Sequence, residues 1–469
     1  MGLKYYLNKF SNLNSKDSIR LWIPFSLSKS KYKYERINNY LLTCQSGSRP
    51  KGGISELDYG EAISLGGEQI DKDGTVNLNN IPYVSFDYYD NVSKGKIKNN
   101  DILLCKDGAL TGKTCMVDIH IFNTEKVMCN EHIYILRGNK NIEQKFLFYY
   151  TRTELFQSQV KDLAYKKKAQ PGLNTDHFKK IKIPAISLQI QKSILKKIEP
   201  IENSISQFKS TIIPETQIIN NMFTDYFSLN IEQFIKLKKI TNSSLPFSQF
   251  SNNIDLRYSV KYHRKSGQFV YDELGKISNK KIKDFISEPI ILGKSISPEN
   301  YDENGNYFYI SMFDIKSWYF DKENCKTISD YYYSSNQKKT VKKDDIILAR
   351  SGEGTIGKVA IIDDGSIEGI FADFTMRIRL KNCNQKFVYY YFRTDYFQYL
   401  VEINKKGLGN NTNIFPNQLQ EFPILDIPLK EQNKIVKNIE TEIEKQNYIK
   451  EQIETERKKI DDIIMNSIK

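Results

Sequence analysis

Two stretches of the sequence share one pattern and decide the fold: residues 101–117, DILLCKDGALTGKTCMV, and residues 345–362, DIILARSGEGTIGKVAII. Each contains, in the same order, an aspartate, an apolar run, a basic residue, glycine, threonine, a Gly-Lys pair and a second apolar run. The β-branched and apolar residues on both sides of the glycines predict a strand, a tight turn and another strand. The chain therefore carries an internal repeat.

The glycine-rich turns superficially look like loops that bind nucleotide phosphates. Such a loop needs two glycines with four residues between them, then Lys and Ser or Thr, and a helix must follow. Only three residues separate Gly108 from Gly112, and Val359 follows Lys358 where a hydroxyl is required. The apolar runs after both lysines predict strands rather than helices. A nucleotide-dependent enzyme that uses the Gly-Lys loops remains an alternative, which ATP binding by the isolated chain would support.

Two further pairs of segments extend the repeat. The first pair, which aligns without a gap, is QKFLFYYTRTELFQSQV from Gln144 and QKFVYYYFRTDYFQYLV from Gln385. Each segment predicts one amphipathic helix whose aromatic face is buried. IPAISLQIQKSILKKIEPIE from Ile183 parallels ILDIPLKEQNKIVKNIETEIE from Ile424. A repeat of this length exceeds the period of solenoid proteins and indicates two copies of a whole domain with the segment that follows it.

Each copy combines two kinds of structure. Short apolar alternations broken by Gly, Asn, Asp and Pro predict strands and turns over residues of about 1–180 and 235–425. Isoleucines at steps of three or four, from Leu188 onward and again near the C-terminal end, predict long helices that pair antiparallel as a coiled coil. Pro200 and Pro214 are expected to kink or cap the first helix. We predict an α+β fold with two pseudo-repeated β-rich domains separated by two long antiparallel coiled-coil helices, with boundaries at 1–185, 186–230, 231–428 and 429–469.

The composition points to a polyanionic partner. The 469 residues include 69 Lys and Arg against 56 Asp and Glu, which gives a net charge of +13. An A/T-rich genome, which inflates lysine codons, would produce the same excess without any such partner. The sequence shows neither an apolar run long enough for a membrane span nor a signal peptide, so we expect a cytoplasmic protein.

We expect no catalytic residues, metal site or bound cofactor in this chain. The six cysteines lack Cys-x-x-Cys spacing and the four histidines are scattered, so neither predicts a metal site. Asn80-Ile81-Pro82-Tyr83 differs by one residue from the motif that grips a flipped adenine, but no glycine-rich cofactor loop accompanies it.

Polar and basic residues in the predicted turns are candidates for DNA contact. Lysines there would hold phosphates, while Arg, Gln and Asn can form paired hydrogen bonds with base edges. The simpler interpretation is that these are solvated turn residues. The candidates are Arg49, Lys51, Lys113, Lys166, Lys167, Lys168, Gln170, Asn174, Lys294, Arg350, Lys358, Lys405, Lys406, Asn410 and Asn411.

The duplicated Asp-Ile-Leu/Ile…Gly-Lys pattern and the duplicated start of the long helices, with Gln191 and Gln432, resemble the DNA specificity (S) subunit of type I restriction-modification systems. The resemblance implies that each target-recognition domain reads one half of a split site in double-stranded DNA. It also implies that the helices dock two methyltransferase (M) subunits, which use S-adenosylmethionine to methylate adenine N6. Motor-nuclease (R) subunits, with ATP and Mg²⁺, would join for cleavage. The same architecture in a type IIB-like or other phage-defence complex is the alternative.

Overall fold

A computed structural model describes residues 30–50, 61–164, 171–242, 244–248, 259–352, 354–407 and 411–469. The chain forms two compact units. Unit 1 takes the described residues through Ser210 together with Glu451–Lys469, and unit 2 is Thr211–Lys450. No helix in the described ranges is long and apolar enough to cross a membrane.

Unit 1 contains one four-stranded and one three-stranded sheet, plus a two-stranded ribbon. Its strands are β1 (Tyr34–Arg36), β2 (Leu41–Ser46), β3 (Ala62–Leu65), β4 (Tyr83–Val84), β5 (Ile102–Cys105), β6 (Thr114–Met116), β7 (Val127–Cys129), β8 (Ile133–Gly138) and β9 (Lys182–Pro184). The larger sheet has the order β2-β8-β5-β6 and is antiparallel throughout. The smaller sheet has the order β4-β3-β7, with β3 parallel to β7. The ribbon pairs β1 with β9.

Unit 2 repeats both sheets strand for strand. Its strands are β10 (Ile291–Leu292), β11 (Tyr307–Ile310), β12 (Thr327–Ile328), β13 (Ile346–Ala349), β14 (Val359–Ile361), β15 (Gly369–Phe371) and β16 (Thr375–Ile378). The orders β10-β16-β13-β14 and β12-β11-β15 match those of unit 1, including one parallel pair, β11 with β15. The predicted domain repeat is therefore confirmed as one topology built twice.

Strands follow both Gly-Lys pairs, as the apolar runs predicted, because β6 and β14 begin directly after the lysines. In unit 1 the strand is shorter than the apolar run after Lys113, residues 114–122, suggested. It ends at Met116, and Ile119–Ile121 forms a 3-10 turn. The Asp118 side chain accepts a hydrogen bond from the His120 N–H and so caps this turn, which diverts the chain from the strand.

The helices of unit 1 before its long helix are α1 (Phe86–Asn91), α2 (Gln144–Arg152), α3 (Glu154–Ala164) and α4 (Thr175–Phe178). Among the described residues of unit 2, α6 (Glu215–Phe227) and α7 (Ile231–Lys238) come first. They are followed by α8 (Lys265–Ile277), α9 (Asp330–Ser335), α10 (Gln385–Phe392), α11 (Asp395–Asn404) and α12 (Pro416–Leu419). The prediction of one amphipathic helix in each aromatic segment was wrong, because each is split in two. Thr153 and Thr394 explain the break, since their hydroxyls accept hydrogen bonds from the N–H groups of Phe156 and Phe397 and so start a new helix.

The aromatic faces of these helices are buried in the two cores, as predicted. Tyr150 and Tyr391 are the clearest pair, because both are almost fully buried. Their hydroxyls donate to the carbonyls of Lys182 at 2.6 Å and Pro423 at 2.9 Å. Burial raises the pKa of both phenols, so the hydroxyls stay protonated and act as donors.

The first long helical region is divided into three helices, whereas the second is one continuous helix. They are α5 (Leu188–Ser210), α6 (Glu215–Phe227), α7 (Ile231–Lys238) and the 40-residue α13 (Leu429–Ile468). Pro214 caps α6, as expected, whereas Pro200 lies inside α5 without ending it. Helix α13 runs through the division between the units at Lys450.

The long helices pack against each other within each unit, and in unit 2 two hydrogen bonds show that they are antiparallel. In unit 2 the Ile213 N–H donates to the Gln446 side chain at 2.9 Å, and the Tyr226 hydroxyl donates to Glu431 at 3.0 Å. Residue numbers therefore increase along α6 in the direction in which they decrease along α13. In unit 1 the isoleucines of α5 and of the last part of α13 share one hydrophobic core. The predicted antiparallel arrangement is thus seen directly in unit 2, and in unit 1 the two helices share a core.

Candidate nucleic-acid interface

The aspartate directly before each repeated strand stabilises the sheet through an arginine. Asp101 and Asp345 are buried and accept two hydrogen bonds from Arg137 and Arg379, at 2.6 and 2.7 Å in both units. Each carboxylate also accepts a backbone N–H three residues earlier in the chain. Because each carboxylate is buried and accepts two hydrogen bonds from one arginine, its role is to stabilise the fold.

The Gly-Lys turns are packing elements as well. Gly112 and Gly357 adopt positive φ angles of 96° and 86°. Their carbonyls accept hydrogen bonds from the amides of Gln157 at 2.8 Å and Gln398 at 2.9 Å. A Cβ at either glycine would lie within 2.8 Å of that glutamine's Oε1. The repeated glycine is therefore explained by backbone conformation and close packing rather than by phosphate binding.

The two lysines of these turns, Lys113 and Lys358, were predicted to contact DNA, but both are half-buried within their own units. The Lys113 ammonium lies 3.5 Å from the Ile70 carbonyl. The Lys358 ammonium lies 3.8 Å from the centroid of the Trp318 ring. Burial and the nearby Arg393 guanidinium lower the pKa of Lys358. Both ammonium groups thus have contacts that DNA would have to displace.

Four loops of unit 1 meet beyond the ends of its strands. The Lys106 N–H donates to the His132 carbonyl at 2.8 Å, and the Leu173 N–H donates to the Lys106 carbonyl at 2.7 Å. The Gly47 N–H donates to the Ile133 carbonyl at 3.4 Å. These bonds place four side chains at one edge of the unit: Ser48, Lys106, His132 and Asn174.

Unit 2 makes the same backbone bonds at equivalent positions. The Arg350 N–H donates to the Phe374 carbonyl, and the Ile414 N–H donates to the Arg350 carbonyl, both at 2.9 Å. The Gly293 N–H donates to the Thr375 carbonyl at 3.1 Å. The equivalent side chains are Lys294, Arg350, Phe374 and Phe415. We call each set of four side chains the loop edge of its unit.

The loop edge of unit 1 is polar and carries both signs of charge. Lys106 pairs with Asp107 at 2.6 Å, and Asp107 lies 3.3 Å from the His132 ring. Arg49, half-exposed and predicted to contact DNA, pairs with Glu131 at 2.7 Å, next to His132. Asn174, another predicted contact, accepts a hydrogen bond from the His177 N–H and caps α4.

The loop edge of unit 2 is basic and aromatic. Arg350 donates to the Asp373 carbonyl and to the Asn413 side chain, both at 2.9 Å. Its guanidinium lies 5.8 Å from the Phe374 ring centroid and 5.9 Å from that of Phe415. Both rings are exposed, by 46% and 37%. Lys294 is exposed beside this cluster.

The other predicted contacts differ in accessibility. Lys405 is only 9% exposed and pairs with Glu402 at 2.7 Å. Lys406 and Asn411 are exposed, and Lys406 bridges Asn413 through its backbone. The remaining candidates lie outside the described residues: Lys51, Lys166, Lys167, Lys168, Gln170 and Asn410.

Sequence reasoning did not identify Lys106, His132, Phe374 or Phe415 as edge residues. The repeat alignment contained the signal for Lys106, since it occupies the position of Arg350. The other three could not be found, because they lie next to strand ends whose convergence depends on the sheet order. In the part of the chain that the structure describes, no three His, Cys, Asp or Glu side chains are grouped to hold a metal ion.

The sequence matches the family model described as Type I restriction modification DNA specificity domain, over residues 51–217 and 275–458. The chain belongs to this family. The two matched regions cover more than half of the chain and contain both copies of the repeat. It is thus a DNA sequence-specificity subunit of the type I restriction-modification class. No curated protein sequence matches the chain.

Several solved structures are similar over 95% of this chain. One is described as the structural basis underlying complex assembly and conformational transition of the type I R-M system, with 14% identity, 99% of that chain covered and a TM-score of 0.44. The S subunit from M. genitalium has 13% identity, 98% coverage and a TM-score of 0.38. The HsdS subunit from Thermoanaerobacter tengcongensis has 13% identity, 98% coverage and a TM-score of 0.32. Because these scores lie below 0.5, family membership rests on the sequence match.

Proposed function

We propose that each unit of this specificity subunit reads one half of a bipartite site in double-stranded DNA through its loop edge. The observation that carries the proposal is the pair of loop edges, which share one backbone geometry but present different side chains. A repeated fold that carries different polar and aromatic groups at equivalent positions suits two half-sites of different sequence. The net charge of +13 supports the electrostatic part of DNA binding.

We further propose that the long helices dock two methyltransferase subunits, and that motor-nuclease subunits join the complex. The long helices that pack together within each unit and the family of the chain support this proposal. The chain itself would be non-catalytic and would bind neither S-adenosylmethionine nor ATP, since its Gly-Lys turns serve packing. It would act in the cytoplasm, where these partners and their DNA meet.

Single-molecule sequencing of DNA methylated by the full chain with its methyltransferase subunit tests this function. We expect one modified motif, split by bases of no fixed identity. A variant with Lys106→Ala and His132→Ala should change the preference in one half, and a variant with Arg350→Ala should change it in the other. An uninterrupted motif, or two variants that alter the same half, would contradict the proposal.

A further inference from the structure

The loop edge of unit 2 contains an arginine that is already held in one orientation. Its Nε and one Nη donate to fixed acceptors, and two phenylalanine rings flank the guanidinium. A free arginine side chain loses rotamer entropy when it is fixed, and here most of that cost is met before DNA arrives. Nη2 makes none of these hydrogen bonds and Nη1 has a second hydrogen, so the guanidinium can still offer a pair of donors.

The two flanking rings are exposed although buried residues lie close to them in the chain. Phe374 and Phe415 both follow buried segments, since Ala372 and Ile414 are almost fully buried. Phe313, which is 62% exposed, follows β11 and thus emerges at the same end of the small sheet as Phe374, because β11 and β15 are parallel. Phe374 and Phe415 are thus exposed apolar rings beside one guanidinium, where a ligand could contact both the charge and the rings.

The chemistry of the major groove fits this combination. Arginine forms paired hydrogen bonds with O6 and N7 of guanine, and apolar side chains contact the 5-methyl group of thymine. Among the four unmodified bases, only thymine offers a methyl group in that groove. An arginine between two phenylalanines therefore matches a guanine with a neighbouring thymine.

We propose that unit 2 recognises a guanine next to a thymine, with Arg350 on the guanine and Phe374 or Phe415 on the thymine methyl group. This inference rests on the proposed function, and it adds the bases that one half-site must contain. Unit 1 has Lys106, His132 and Asn174 at the equivalent positions, so a thymine methyl group should contribute little to its half-site.

Duplexes with the motif found by methylation sequencing test the inference. Each thymine is replaced by uracil, which removes only the methyl group, and each guanine by 7-deazaguanine, which removes N7. With the full chain and its methyltransferase subunit, we expect uracil at one position of one half to weaken binding about threefold to fivefold, the value of one buried methyl group. The 7-deazaguanine at the adjacent position should weaken it about tenfold or more.

Three variants assign these losses to residues. In Phe374→Ala with Phe415→Ala, the uracil effect should vanish, and in Arg350→Ala the 7-deazaguanine effect should vanish. His132→Ala in unit 1 should leave both effects intact. Tyr319→Ala serves as an exposed aromatic control, because Tyr319 lies by Lys386 and Glu440, on the side of unit 2 that faces α13.

The outcomes separate the two proposals. A split motif whose halves show no uracil effect, or an effect that persists in the double phenylalanine variant, overturns the inference and leaves the proposed function standing. The absence of any split motif overturns the proposed function itself. The exchanges Phe374→His and Phe415→Asn, which install the residues of unit 1, provide a second test if the alanine variants fold poorly.

Discussion

The loop edges of units 1 and 2 have matching backbone hydrogen bonds and almost no side chain in common. Lys106 and Arg350 share their position, but the first is neutralised by Asp107 and the second is flanked by Phe374 and Phe415. Residues that hold the backbone are the ones that repeat: the buried aspartates, the turn glycines and the glutamines that contact them. The comparison shows that the fold and the surface for base reading are carried by separate residues.

A second difference concerns the residues through which each domain contacts its long helices: Asp73 in unit 1, and Trp318 with Arg393 in unit 2. In unit 1, Asp73 pairs with Lys209 of α5 at 2.6 Å and with Arg457 of α13 at 3.3 Å. In unit 2, Trp318 lies over Lys358, and its ring is 5.5 Å from Arg393. Arg393 in turn pairs with Glu215 of α6 at 2.8 Å. Both domains thus hold their helices by ion pairs, and in unit 2 the arginine of the pair also packs against the Trp318 ring.

The largest effect should come from Asp101→Asn and Asp345→Asn. Each leaves an arginine without its buried carboxylate, which costs about 3–5 kcal/mol of unfolding free energy. We expect a loss in both units, measured by chemical denaturation, and a smaller one for Asp345→Asn, because Arg379 keeps the Glu288 carboxylate at 3.1 Å. Asp90→Asn, which removes the exposed ion pair with Lys126, should cost no more than about 1 kcal/mol. A large loss in one unit and none in the other would break the structural equivalence.

Gly112→Ala and Gly357→Ala should cost about 1–3 kcal/mol each, because positive φ strains a residue with a Cβ and the neighbouring glutamine must move. Thermal melting measures the loss. Gly275→Ala is the matched control: it lies in α8 with no atom within 4 Å of an added Cβ. There the same change should stabilise unit 2 by about 0.5–1 kcal/mol. Equal effects at all three glycines would refute the packing role of the turns.

Thr153→Ala and Thr394→Ala should each cost about 1 kcal/mol, because each removes a hydroxyl that caps a helix. Replacement by Ser, which keeps the hydroxyl, should cost less. If alanine and serine have the same effect in one unit, the helix break there has another cause. Chemical denaturation of the four variants decides this.

The smallest effect should be the response of unit 1 to acid. Burial would raise the pKa of Asp73, but hydrogen bonds from Lys209 and Thr75 lower it to about 2. A folded pKa below the unfolded value of about 3.9 means that the ionised group stabilises unit 1 fully above that value, and that this contribution is lost as the pH falls towards 2. Hydrogen exchange in α5 should therefore increase at low pH more in the wild type than in Asp73→Asn. An identical increase in both proteins would exclude Asp73 as the acid-sensitive contact.

The sequence predicted those parts of the fold that repeat. The spacing of isoleucines gave the long helices, and the duplicated strand-turn-strand gave two domains of one topology, because local apolar periodicity is read directly from the chain. It did not predict the split at Thr153 and Thr394, since a single hydroxyl that caps a helix outweighed a continuous amphipathic pattern. For Lys358 and Lys405 it could not distinguish a surface lysine from one engaged within its own unit.

By itself the sequence determined that this protein is a duplicated, basic α+β chain of the type I DNA specificity family. Only the tertiary structure decided which side chains stand together at the loop edges. Residues such as Lys294, Arg350, Phe374 and Phe415 are far apart in the chain, and sheet order and strand register bring them together. Those contacts between distant segments are set by the packing of whole domains, and no local pattern of residues encodes them.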